Sequence, residues 1–434
     1  MDPLIVGTLG FVCLILTLAL GVHIGFALAL VGTAGLFLTT GTKITLATLE
    51  LLPLSSVASY GLVVIPLFVL MGNLAFEAGI THDLYDTGYK WFGRLPGGLA
   101  MATTFASAGF AASTGSSVGM VAAMSRIALP EMDRYGYDRD LSLGSIAGAG
   151  TLGVLIPPSI IAVLYAITTE QSVGKILIGS ILPGILIALL FIFMIWIRSL
   201  INPKLGPKAR GISWKSSLIS LKGVWGVLVL FGVVMGTIYS GIATPTEAGA
   251  IGCLASLVLA ILRKSLSWAA FKEAILDTVK IGTMILVIAI GAQIFTLFLA
   301  RAGFASRFIS ILVSQDVSPM ILVILFLLMY VPLGMFFEPF SMILLTLPIT
   351  FPVLQGLGVD GIWYGVMVII MIEVSLLTPP VGLNVYVLKG AVPDVELFRI
   401  FKSVIWYIVV ELIAIGIFLA FPEIVLFLPR MMRG

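Results

Sequence analysis

Two adjacent prolines occur twice in this chain, each time inside a long apolar run. The runs are Leu155-Ile156-Pro157-Pro158 and Leu377-Thr378-Pro379-Pro380, 222 residues apart. Proline removes a backbone donor and clashes with the turn before it, so each pair should break a helix. Polar backbone laid bare inside hydrocarbon is tolerated only where protein or a watery cavity supplies partners. Midway between Pro96 and Pro130 lies a second polar signal, Ser113-Thr114-Gly115-Ser116-Ser117-Val118-Gly119. Its hydroxyls, carbonyls and helix N-terminus suit a hard cation such as Na⁺ on one side and a carboxylate on the other. The chemistry these residues offer is the binding and release of ions.

The elements that position them follow from length. About 17 residues on either side of the polar tip is short for a full crossing, so 96–130 reads as two half-helices of a re-entrant hairpin. Ala106, Ala108, Gly109, Ala111 and Ala112 let such helices pack closely, which is also what the run would do as plain packing between spans. A second hairpin-like stretch, 319–352, has its tip at Pro332-Leu333-Gly334-Met335-Phe336-Phe337-Glu338-Pro339, with Ser341 just beyond. This tip is less polar. Glu338 inside an apolar stretch is by default a functional group, and reads equally well as one that snorkels or pairs structurally. Glu373 and Asn384 flank the second break, Glu411 lies inside the last apolar run without an evident purpose, and Glu247 lies near a span end where a structural role fits.

The setting is a membrane. Hydrophobic residues make up 60% of the 434, charged residues 10%, and the mean hydropathy is +1.17; a soluble chain could not hide that much apolar surface. A net charge of +3 leaves no footprint for a nucleic acid. Cys13 and Cys253 sit in apolar runs and read as small buried side chains, and His23 and His82 are too isolated for a metal cluster. The N-terminus lacks the basic region of a signal peptide, so the apolar run from Leu4 to Leu20 is expected to be a retained span. No Gly-x-x-x-x-Gly-Lys-Ser/Thr loop or His-Glu-x-x-His occurs, which argues against an ATPase, a metalloprotease or any other enzyme.

Spans are expected near 4–21, 24–40, 54–78, 141–169 and 175–198, then near 223–240, 245–262, 277–300, 361–389 and 402–428. Amphipathic stretches at 81–94 and 301–316 should lie at the interface. Pro130, Gly136, Asp138, Pro157 and Pro158 fall in register on Pro352, Gly358, Asp360, Pro379 and Pro380, and Ala78-Gly79 is answered by Ala302-Gly303. A duplicated plan explains these matches. Between them, Arg198, Lys204, Lys208, Arg210, Lys215 and Lys222 occur without an acid, which places a solvated linker in the cytoplasm. Five spans per half then set the halves in opposite directions. Arg94, Arg126, Arg134 and Arg139 fall on the cytoplasmic side of the first half; Arg301, Arg307, Arg430 and Arg433 are exceptions in the second. The expected fold is an all-α polytopic membrane protein, an inverted repeat of about ten transmembrane helices plus two re-entrant helical hairpins.

The run from Ser113-Thr114-Gly115-Ser116-Ser117 through Ala147-Gly148-Ala149-Gly150-Thr151-Leu152-Gly153-Val154-Leu155-Ile156-Pro157-Pro158-Ser159 resembles the large membrane subunit of tripartite ATP-independent periplasmic (TRAP) transporters. Leu377-Thr378-Pro379-Pro380-Val381-Gly382-Leu383-Asn384 is similar too, and the likeness covers essentially the whole chain. The resemblance implies an elevator-type ion-transporter fold in the bacterial inner membrane. Its scaffold would be 1–78 and 223–300. Arm helices, hairpins and transport-domain helices would fall at 79–198 and 301–434, joined by the basic linker 199–222. It implies Na⁺-coupled uptake of an organic acid (a C4-dicarboxylate, a sialic or sugar acid, or a keto acid) delivered by a periplasmic binding protein. A separate four-helix membrane subunit is the other implied partner. Na⁺ would be held by Ser113, Ser116 and Gly153–Pro157 at one tip, and by Gly334, Phe337, Thr378 and Val381 at the other. The substrate carboxylate would lie near Ser117, Ser159 and Asn384. The rival reading is a stand-alone Na⁺- or H⁺-coupled di- or tricarboxylate symporter of the same wider group. An ion channel, which needs a continuous pore, and a purely structural membrane scaffold fit the paired breaks less well.

Overall fold

Each landmark of the sequence repeat takes the same conformation in both halves. Gly79 and Gly303 have φ of 75° and 73°, and Gly136 and Gly358 have φ of 68° and 79°, the left-handed region that a side chain disfavours. The Asp138 carboxylate caps the next helix by accepting from the Leu141 N–H at 3.0 Å. Asp360 does the same for Ile362 and Trp363, at 2.8 and 3.0 Å. Both Pro157-Pro158 and Pro379-Pro380 contain a cis peptide bond. The computed structural model describes residues 2–209, 212–314, 318–335 and 337–432, with side chains excepted at 305, 309 and 312–314. Arg210, Asp316, Phe336 and Arg433 lie outside the described residues. Among the described residues the elements are helical and there is no strand.

The hairpins and broken spans form where proline and small residues predict. The first hairpin pairs Gly98–Thr114 with Ser117–Arg134, and the second pairs Pro319–Leu333 with Pro339–Gly356. The first broken span runs Arg139–Leu155 and then Ile160–Thr168, bent by 43°. The second stops at Leu377 and resumes as Leu383–Ala391. Among the described residues six helices are long and apolar enough to cross a membrane, and two bent pairs and four shorter apolar helices accompany them. The stretches expected to be arms form the helices Ile80–Phe92 and Phe304–Ser314.

Three boundaries differ from expectation. The span expected over 54–78 starts later, at Tyr60, because Thr42–Val57 is a separate helix ended by the Ala58-Ser59 step. Its counterpart in the second half is the start of one continuous 35-residue helix, Trp268–Ala302, roughly 50 Å long and well beyond the hydrocarbon thickness. The last span ends at Ala420 rather than near 428. Pro422 opens a new helix, Glu423–Met431, in which Arg430 holds Glu423 at 2.5 Å. The basic linker keeps Lys204, Lys208, Lys215 and Lys222 exposed while its backbone is docked. Backbone bonds from Gly97 N–H to Gly206 O (2.8 Å), Asp138 N–H to Leu205 O (2.9 Å) and Ala209 N–H to Gly93 O (2.8 Å) fix it to the first hairpin's base. Trp91 and Thr87 donate to the Ser217 and Ser220 carbonyls, and Arg94 lies over the Trp214 ring. Charge count alone could not foresee that these backbone groups find partners on the arm.

Segments of the two halves interlock. Ile24–Thr40 packs along Trp268–Ala302 so tightly that a methyl built on Gly291 would lie 2.1 Å from the Gly25 carbonyl oxygen. Val64–Glu77 packs on Pro245–Leu262. Arg263, which caps the latter helix, reaches Asp83 of the arm at 2.5 Å and the Ala78 carbonyl at 3.0 Å. Large apolar side chains such as Leu38, Leu54 and Ile242 stand on the outer surface, where lipid replaces water as the solvent.

Candidate functional site

The tip of the first hairpin sits directly on the first proline break. Gly115 has φ 61°, and a methyl built there would lie 2.8 Å from the Pro158 carbonyl oxygen. On the other side of the contact, a methyl on Gly153 would lie 2.7 Å from the Ser116 carbonyl oxygen. The tip also rests on the helix Val64–Glu77, since a methyl on Gly72 would lie 2.9 Å from the Ser113 carbonyl oxygen. Only glycine permits these three approaches, so backbone oxygens from two elements converge at one place.

The hydroxyls at this tip are oriented by local bonds. Ser113 is buried and its Oγ donates to the Phe110 carbonyl at 2.8 Å, which leaves the oxygen lone pairs free. Ser116 caps the second helix of the hairpin, its Oγ accepting from Gly119 N–H at 3.2 Å. Ser159 is fully buried and does the same for Ile160–Thr168 through Ala162 N–H. Pro157 is buried in the break itself.

The second tip meets the second break in the corresponding way. A methyl on Gly334 would lie 2.0 Å from the Ser375 hydroxyl oxygen, on the last turn before the break. Thr378 ends that helix, and its hydroxyl donates to the Val374 carbonyl at 2.8 Å. Gly382, with φ 57°, starts the next helix beside the Leu376 and Thr378 carbonyls. Phe337 is half-buried, and its N–H donates to Leu333 O at 3.0 Å. Val381 is exposed. The Ser159 cap of the first break has no hydroxyl counterpart here, so this end depends on backbone carbonyls.

Between the two tips is a cavity of about 430 Å³, within the size range of small-molecule sites. Gly115 to Gly119 line it from the first hairpin, Glu338 to Phe340 from the second, and Ile160 and Leu383 from the two broken helices. Val69, Asn73 and Asp277 complete it from the helices Val64–Glu77 and Trp268–Ala302. Of the three residues expected at the substrate, Ser117 lines this cavity. Ser159 and Asn384 are wholly enclosed behind it, next to the lining residues Ile160 and Leu383.

Three charged side chains face the cavity. Arg126 is exposed within it and makes no hydrogen bond or ion pair among the described residues. Glu338 accepts from the Ser341 hydroxyl at 3.2 Å, and Asp277 lies 3.9 Å from Lys280. Sequence reasoning counted Arg126 only as a topological charge and passed over Asn73 and Asp277. Their signal was a polar group inside an apolar run. Glu247 does what its position suggested: it forms a capping box with Thr244, at 2.8 and 3.3 Å.

A cavity bounded by two hairpin tips and two broken helices narrows the fold, and comparison with known proteins decides the family. A family model described as "Tripartite ATP-independent periplasmic transporter, DctM component" matches residues 11–424. The chain belongs to this family. It is 34% identical over 373 residues to the C4-dicarboxylate TRAP transporter large permease protein DctM of Pseudomonas aeruginosa, covering 86% of each chain. The sialic acid TRAP transporter large permease protein SiaM of Vibrio cholerae is 29% identical over 95% of this chain and 96% of its own length. The 2,3-diketo-L-gulonate TRAP transporter large permease protein YiaN of Escherichia coli is 27% identical over the same shares. Among solved structures, the crystal structure of the Alcanivorax borkumensis YdaH transporter superposes with a TM-score of 0.62 at 14% identity, over 88% of this chain and 90% of that one. That likeness shows a shared fold alone. Membership of the TRAP family sets aside the stand-alone symporter reading, and makes the chain a polytopic transporter component.

Proposed function

We propose that this TRAP large permease imports an organic acid across the bacterial inner membrane by Na⁺-coupled, secondary active transport. It would work with a small four-helix membrane subunit and a periplasmic binding protein that delivers the substrate. The observation that carries this reading is the unpaired Arg126 guanidinium in a cavity where both hairpin tips meet. A guanidinium grips a carboxylate through two parallel hydrogen bonds. Ser117 and the N-terminus of its helix would share the same anion.

Na⁺ fits the oxygens around each tip. At the first, Ser113, Ser116 and the carbonyls from Gly153 to Pro157 would supply hydroxyl and backbone ligands. At the second, Gly334, Phe337, Thr378 and Val381 would supply mainly carbonyls, because helix ends leave these groups without intrahelical partners. The hairpins and broken helices would move as one body against the interlocked 1–78 and 223–300 scaffold, carrying the cavity from one face to the other. The arms Ile80–Phe92 and Phe304–Ser314 would join the two parts.

The test is uptake into proteoliposomes holding the complete transporter, with a ligand first identified by thermal shift of the cognate binding protein. Uptake should require an inward Na⁺ gradient. Equal uptake in choline and in sodium ends the Na⁺ reading. For the movement, a cysteine replacing Ser116 in a background lacking Cys13 and Cys253 should be labelled from one face at a time. Labelling from both faces at once, whatever the Na⁺ and substrate, overturns the elevator.

A further inference from the structure

Behind the cavity lie two acids that the proposed transport cycle leaves unused. Glu373 sits about one turn before the end of Gly361–Leu377, 1% exposed, and neither carboxyl oxygen has a hydrogen-bond partner among the described residues. Glu411, also 1% exposed, sits on Leu397–Ala420, which packs against that helix. One of its oxygens accepts from the Thr151 hydroxyl at 2.6 Å and the other has no partner. Ser117, which lines the cavity, brings its hydroxyl up to Glu373 without closing a hydrogen bond. The buried amide of Asn384 is unpartnered as well, on a short helix packed against the elements that carry Ser117, Glu373 and Glu411.

Among the described residues no cation forms an ion pair with these carboxyls; Arg126, on the helix that carries Ser117, is exposed in the cavity, and most of the other basic side chains on the surrounding helices are engaged elsewhere. Arg399 holds Asp140, Arg139 holds Asp133, and Arg430 holds Glu423. Lys389 donates to the Pro393 and Val395 carbonyls, and Arg198 lies over Trp406. Lys175 and Lys402 make no ion pair with either acid. Tyr364 and Tyr407, whose hydroxyls are buried and unpartnered, are neutral at physiological pH and compensate nothing. An ionised, unpaired carboxylate in such surroundings is strongly disfavoured and takes up a proton instead. A metal cation in its place would need several oxygens around it, and among the described residues none closes a hydrogen bond with Glu373.

We propose that Glu373 is a proton-binding site of the permease that exchanges with the substrate cavity past Ser117. In the state described here the carboxyl is protonated. When the hairpin tip shifts and water reaches it, the acid releases its proton to that water and is left as a carboxylate, and the reverse step reloads it. Glu411 is the second buried acid on the adjoining helix, and Thr151 holds it in place. The proposal rests on Ser117 lining the cavity and does not depend on Na⁺ being the coupling ion.

The test needs no transport substrate. Infrared difference spectra of the full chain with its small membrane subunit in lipid nanodiscs report protonated carboxylic acids by their C=O stretch. The wild type should show this band around neutral pH in sodium and in choline, and lose it reversibly on alkaline titration. Glu373→Gln should remove the Glu373 part of the band and leave the part that belongs to Glu411. Glu411→Gln should remove the Glu411 part and keep that of Glu373, so that the two single variants assign the band to each acid. Ser117→Ala should slow the exchange without abolishing the band. Three results overturn the proposal: a wild-type spectrum without the band, a band that appears only when Na⁺ is withdrawn, and a band that alkali never removes. The last would mark a permanently protonated structural acid.

Discussion

The Thr151 hydroxyl donates a 2.6 Å hydrogen bond to Glu411, 260 residues further along the chain. This bond fastens the first broken span, about one turn before its break, to the last spanning helix. The two are already pressed together, since a methyl on Gly148 would lie 2.2 Å from the Tyr407 ring. Thr151→Val should leave a buried acid without its one donor and lower stability by about 1–3 kcal/mol. Thr151→Ser should restore most of it. Thermal unfolding of the detergent-solubilised protein measures both, and equal melting of Val and wild type contradicts the assignment.

Contact between the second tip and its break predicts a rescue. Gly334→Ala places a methyl 2.0 Å from the Ser375 hydroxyl, so the tip must move and uptake should fall at least tenfold. Adding Ser375→Gly removes the obstructing side chain and should recover part of the activity. Two losses that simply add would show that the tip is not seated on Ser375.

Arg126→Gln should raise the half-saturating substrate concentration by roughly tenfold or more, the loss of one charge-assisted hydrogen bond of about 1.5 kcal/mol. Arg126→Lys keeps the charge and loses the fork, so its effect should fall between. The Na⁺ dependence of uptake should be unchanged in both. An unaltered concentration dependence in the Gln variant removes Arg126 from the substrate site.

Replacing Pro157-Pro158 or Pro379-Pro380 by Ala-Ala should allow the helix to continue and withdraw its carbonyls from the tip. Each variant is expected to insert and purify normally and to transport poorly. Wild-type uptake by both would make the breaks features of packing only.

Much of the architecture was legible because its causes are local. A proline pair, a glycine held at positive φ, an aspartate cap and a run of about 20 apolar residues each act within a few positions. The matches Gly136 with Gly358 and Asp138 with Asp360 could therefore be read from the chain and recur as conformation. The hairpin tips at Ser116 and Gly334 were legible for the same reason. The sequence alone could not show that Thr42–Val57 is a separate helix, that the basic linker docks on the arm, or that Arg126 faces a cavity. These depend on which faces of distant helices meet. Apolar helices rich in small residues can pack on one another in many registers, and their composition does not choose among them. Only the tertiary packing brings Ser117 beside Glu373 and Thr151 onto Glu411. There the low dielectric turns carboxyls that would be unremarkable in water into groups that must find a proton or a partner.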